Sequence, residues 1–86
     1  MEYTPEMKNR LKRIEGQVRG VLRLMEEGQD CKSVITQMSA AKSAMDKAMA
    51  YIVAKNMQHR LLEQVEKGEE TEEAVEQAIQ LLVKSR

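Results

Sequence analysis

Apolar residues recur along this chain in steps of three and four. Met7, Leu11, Ile14, Val18, Val21 and Met25 are spaced 4, 3, 4, 3 and 4 apart, the pattern of an apolar seam along one helix. Thr4, Pro5 and Glu6 supply the start signal: a capping side chain, a proline suited to the first helical position, and an acid that complements the helix dipole. Gly28 predicts the stop. Gly16 and Gly20 each weaken the helix by up to roughly 1 kcal/mol relative to Ala, and lie four residues apart, where they would let a second helix approach closely. Val34, Met38, Ala41, Met45, Ala48 and Ile52 form a second seam of the same spacing. It opens after Asp30, a cap candidate, and nothing interrupts it before Gly68. This predicts a helix of about 37 residues, roughly 55 Å long. Such a rod is too long for a compact chain of 86 residues, and its surplus predicts an oligomer. Beyond Gly68, Thr71 is the next cap, Glu72 and Glu73 fill a first turn, and Ala74, Val75, Ala78, Ile79 and Leu82 share a face. Lys84 and Arg86 close the chain with the sign the dipole favours. The fold class expected is all-α, with three helices.

Composition agrees. The chain has no Trp or Phe, two Tyr, seven Met, four Gly and one Pro, which suits helix packing and leaves too few turn residues for a strand-rich fold. A chain of this length is expected to form one domain, residues 1–86. A single cysteine excludes an internal disulfide framework. The start carries no secretory pattern, which predicts a cytoplasmic protein with a reduced thiol. No apolar run is long enough to span a membrane.

Lys and Arg balance Asp and Glu at 14 each, but unevenly along the chain. Residues 8–23 hold Lys8, Arg10, Lys12, Arg13, Arg19 and Arg23 against Glu15 alone; residues 63–76 hold seven Glu against Lys67. The basic front fits a polyanion partner, and it also fits a solvated helix face. At 100° per residue, Lys8, Lys12, Arg19 and Arg23 fall within about 60° of one another beside the apolar seam, with Arg10 and Arg13 on its other flank. No aromatic residues interleave with these cations, which disfavours single-stranded nucleic acid. Duplex DNA, gripped by its phosphates, is the polyanion this pattern fits.

Cys31 stands in the first turn of the second helix, seven residues before Met38 and in phase with the seam. Free amides and the helix dipole there favour a thiolate, and the phase predicts that it faces another helix rather than water. A guarded reactive thiol and a small buried hydrophobe both fit. Soft metals need two or more Cys or His ligands. The one histidine, His59, is in phase with Met45 and Ile52 and is expected to pack at an interface. A site of Cys31 with His59 is possible only across subunits. No nucleophile–base set, paired carboxylates, phosphate loop or HExxH motif is present, which predicts a protein that is not an enzyme.

"MKNRLKRIEGQVRGVLRLMEEGQDCKSVITQMSAAKSAM", with a long helix after it and "AIQLLVKSR" at the close, resembles the CsoR/RcnR family of bacterial transcriptional repressors over nearly the whole chain. "RLKRIEGQVRG" and the "DC" opening the second helix are the most specific words. The resemblance implies an antiparallel four-helix bundle dimer, a dimer-of-dimers tetramer, repression by binding double-stranded operator DNA, and release when an inducer reaches a site between protomers. For DNA contacts it singles out Arg10 and Lys47, to which the charge pattern adds Lys12, Arg13 and Arg19; Lys8 and Arg23 are weaker candidates.

The family's first sensor cysteine falls on Cys31. Its copper sensors carry His and Cys at 25 and 29 residues beyond, where this chain has Asn56 and Arg60. His59 is one residue out of register. "MEEGQDCKSVITQ", Asn56 and "LLVKS" resemble the persulfide-sensing, CstR-like branch, which uses two cysteines joined between protomers; Arg60 stands where the second belongs. The resemblance implies that a partner's Arg60 approaches Cys31 and favours its thiolate. The reading is therefore a DNA-binding repressor released by modification of Cys31, with no bound metal or cofactor. The alternatives are a copper(I)-responsive repressor with a degenerate site and a helical assembly module without DNA function.

Overall fold

The computed structural model describes residues 2–85. Its helices are α1 (Pro5–Glu26), α2 (Cys31–Glu66) and α3 (Glu72–Lys84), and there is no strand among the described residues. The all-α class follows directly. Arg86, expected to help close α3, lies outside the described residues.

The local signals act largely as read. Thr4 is extended, and its hydroxyl oxygen accepts from the Met7 amide at 3.3 Å while Pro5 takes the first helical position. Gly28 and Gly68 end α1 and α2 in the same way. Each has φ near +70°, a conformation that costs other residues a clash at Cβ. At the first stop the Gly28 and Gln29 amides donate to the Met25 and Leu24 carbonyls; at the second, Gly68 and Glu69 donate to Val65 and Gln64. Paired bonds of this kind satisfy the last carbonyls of a helix and reverse the chain. Thr71 departs from expectation. Its backbone is helical, at φ −103° and ψ −6°, and its side chain makes no capping hydrogen bond. A hydroxyl caps from an extended residue, and Thr71 is already wound into the turn.

The chain divides into two compact units, one of Tyr3–Ala48 and one formed mainly by the remainder from Met49. In the first, α1 lies against residues 31–48. Arg10, Arg13, Ile14 and Gln17 share a groove with Ala44 and Lys47, and Gly20 lies beside Gln37, so the two stretches run antiparallel. Met7, Ile14 and Val21 of α1 are buried, as are Ala41 and Ala48 of α2. The other half of each seam is open: Leu11, Val18 and Met25 are 37%, 48% and 51% exposed, and Met38 and Met45 are 45% and 37% exposed. In the second unit Ala74 and Ala78 of α3 are buried, whereas Val75, Ile79 and Leu82 on the same expected face are not.

Neither glycine inside α1 is required by packing within the chain. A Cβ at Gly16 would meet nothing within 4 Å, and one at Gly20 would touch Gln37 at an ordinary 3.7 Å. No described helix is long and apolar enough to cross a membrane.

Candidate nucleic-acid interface and sensor thiol

Helix α1 places Arg10, Arg13 and Gln17 at steps of three and four, on one face. Antiparallel α2 brings Lys47 to the same place. Together with Ile14 and Ala44 these residues line one surface groove. Three of the five basic residues expected at DNA thus converge, drawn from both helices, and no carboxylate lines the groove. Glu6 approaches Arg10 at 3.8 Å, a long contact between exposed groups that offsets little of its charge. Lys12 and Arg19 are exposed and stand outside the groove. Arg19 is held by Glu15 at 2.6 Å. The stripe of Lys8, Lys12, Arg19 and Arg23 forms no part of the groove; the convergent site lies on the other flank of the seam.

Gln17 is the groove residue that reasoning from charge missed. Its side-chain oxygen is buried and makes no hydrogen bond. Its position in "RIEGQVRG" was the available signal.

Cys31 is the first residue of α2, is a free thiol, and is exposed. The expectation that it faces another helix is not met within the chain, because the turn at residues 27–30 leaves the start of α2 open. Beside it, Asp30 caps the helix: its carboxylate accepts from the Ser33 amide at 3.0 Å. Hydrogen bonds from Ser33 hold the Asp30 carboxyl below its usual range.

Asn56 and Arg60 are half-buried on the part of α2 that belongs to the second unit. Arg60 lines a hollow with Glu63, Gln64 and Glu69, so its charge already has acidic neighbours. His59 is exposed within the chain, with Nε2 3.6 Å from Glu63. Lys67 reaches the other oxygen of Glu63 at 3.0 Å, and Lys67 first, then His59, keeps that carboxyl below its ordinary value.

These positions suit a soft metal poorly. Arg60 has no lone pair to give, Asn56 offers a hard amide oxygen, and Cys31 supplies one sulfur. Among the described residues no three His, Cys, Asp or Glu side chains gather into a metal site.

Residues 3–84 match the family described as metal-sensitive transcriptional repressor. The chain belongs to the CsoR/RcnR family. CsoR of Bacillus subtilis (strain 168), a copper-sensing transcriptional repressor, is 30% identical over 79 residues, covering 92% of this chain and 77% of CsoR. YrkD, an uncharacterized protein of the same organism, is 49% identical over 63 residues, covering 73% of this chain and all of YrkD. Among solved structures, the nickel-responsive transcriptional regulator InrS superposes with a TM-score of 0.80 at 27% identity, over 99% of this chain and 94% of InrS. The three-helix fold is thus a CsoR/RcnR fold, and the family's members are transcriptional repressors rather than enzymes.

Proposed function

We propose that this protein is a cytoplasmic repressor that grips operator DNA through the groove of Arg10, Arg13 and Lys47, flanked by Lys12 and Arg19, and releases it when Cys31 is modified. The single observation that carries the reading is the convergence of three cations from two helices in one groove free of carboxylates, in a chain of a repressor family. The whole chain acts as one sensor and DNA-binding domain. The open half-seams of α1 and α2 pair with a second copy into a four-helix bundle, and two such dimers form a tetramer, which repeats the groove and multiplies phosphate contacts.

The switch is a sulfur transfer. The Cys31 thiolate attacks the terminal sulfur of a persulfide, RS–SH. The donor's S–S bond breaks, RSH leaves with its proton, and a new S–S bond forms at Cys31; the exchange is redox-neutral. Asn56 and Arg60 of a neighbouring protomer border the thiol in the assembled protein, and the added sulfur displaces them. CsoR and InrS respond to copper and nickel by name; the donor set at Cys31, Asn56 and Arg60 favours sulfur chemistry over either metal.

Fluorescence anisotropy on GC-rich inverted-repeat duplexes, before and after treatment with a low-molecular-weight persulfide, tests this. The expected result is tight binding that falls steeply with salt and is lost when mass spectrometry shows sulfur on Cys31, with Cys31→Ala bound and unresponsive. Unchanged affinity of a persulfidated protein overturns the switch. Release by chelator-buffered copper(I) in place of persulfide points to the degenerate copper site, and no preference for any duplex points to an assembly module without DNA function.

A further inference from the structure

Charge does not account for Gln17. It is the one neutral polar side chain lining the basic groove, beside Arg10, Arg13 and Lys47. Its amide oxygen is buried with no hydrogen-bond partner, although cationic donors share the groove. An unsatisfied buried acceptor opposes folding, so its retention calls for an occupant or a task. Gln17 also sits within "RIEGQVRG", between Arg13 and Arg19, to both of which the proposed function assigns a DNA contact while leaving Gln17 without a role.

We propose that the groove seats a single phosphate of the DNA backbone and that Gln17 is the positioning residue for that phosphate. The inference rests on the DNA-binding reading and adds to it the group that is bound and the residue that orients it. A side-chain amide carries an acceptor and two donors on one rigid plane. Within the groove its oxygen accepts from a guanidinium or ammonium group drawn inward, and its NH2 donates to a phosphate oxygen at the mouth. Turning the amide over would set its NH2 against the cations and its oxygen against the phosphate, so one orientation alone fits. The cations supply attraction, which acts at a distance and tolerates displacement. The neutral amide supplies direction, which fixes the register of α1 on the duplex. Register matters only where base edges are read, so Gln17 contributes more on a specific site than on random DNA.

Neutrality gives the test its readout. Each cation that neutralises a phosphate contributes about 0.9 to the slope of log affinity against log salt, and a neutral residue contributes nothing. The experiment measures full-length protein by anisotropy from about 50 to about 300 mM KCl, on the inverted-repeat duplex that binds wild type best and on a random duplex. Gln17→Met preserves volume and Gln17→Ala removes it; thermal melts and oligomer size confirm that each variant is folded. Both variants are expected to lose about tenfold on the inverted repeat and about twofold or less on random DNA, with the salt slope unchanged. Lys47→Ala, for contrast, lowers the slope on both, by up to about 0.9 for each groove engaged. Wild-type affinity in Gln17→Met, equal losses on both duplexes, or a reduced slope overturns the assignment while leaving DNA binding in place. Failure of the wild type to bind either duplex removes the DNA-binding reading and this one with it.

Discussion

Arg19 and Glu15 face each other one turn apart on α1, with Nη2 and Oε1 separated by 2.6 Å and both side chains well exposed. The pair sets Arg19 apart from the groove cations, since its guanidinium is already partnered by a carboxylate at hydrogen-bond distance. Arg19→Ala should therefore weaken operator binding less than Arg13→Ala. Glu15→Gln should strengthen it by roughly two- to fivefold at low salt, the scale of an exposed ion pair, and the gain should shrink as salt screens it. Anisotropy titrations at two salt concentrations check both; weaker binding by Glu15→Gln would show that the pair orders Arg19 for contact.

Asp30 makes the start of α2 sensitive to acid. Its folded carboxyl titrates below the ordinary 3.8 because Ser33 donates to the charged form. A depressed acid stabilises the fold above its unfolded pKa and loses that contribution as pH falls through the folded value. The Ser33 amide should accordingly be uniformly protected above about pH 4 and lose protection below it. Asp30→Asn should keep the cap and lose the pH dependence, and Asp30→Ala should lose the cap at every pH. Hydrogen exchange at Ser33 reads all three.

Gly16 occupies a helix interior where a Cβ would meet nothing in the same chain. Gly16→Ala should stabilise an isolated protomer by about 0.5–1 kcal/mol through backbone entropy. Urea unfolding measures this. Loss of the oligomer in the same variant, seen by sedimentation, would place a partner helix against Gly16.

Arg60→Cys restores the second thiol of the two-cysteine pattern. On the proposed assembly, persulfide or mild oxidant should join Cys31 to the new cysteine of a neighbouring protomer, giving a covalent dimer on a non-reducing gel that Cys31→Ala abolishes. A monomer band after complete modification of Cys31 would mean that the two positions do not meet.

The helices were legible because their signals are local. A threonine before a proline starts α1, and glycines in the left-handed conformation stop α1 and α2. Thr71 was misread because capping depends on the backbone of the capping residue itself, which the neighbouring turn decides. The surroundings of the thiol lie beyond local signals as well. Its phase with the seam is a property of one helix, whereas its exposure depends on what else reaches the end of that helix.

The seams divide most clearly between the two levels. Spacing marked Met7, Leu11, Ile14, Val18, Val21 and Met25 as one apolar series, and only packing sorted Met7, Ile14 and Val21 inward and left Leu11, Val18 and Met25 open. Periodicity reports which residues share a side of a helix and is silent on which neighbour covers them.

The sequence by itself determined the number, order and limits of the helices and the repressor family, because capping, periodicity and characteristic words are written along one dimension. Only the tertiary structure decided that Arg10, Arg13 and Gln17 meet Lys47, and that the prominent stripe of Lys8, Lys12, Arg19 and Arg23 stands outside that groove. Convergence across two helices is set by the register in which their buried side chains interlock, and that register is a property of the packed pair rather than of either strand of letters.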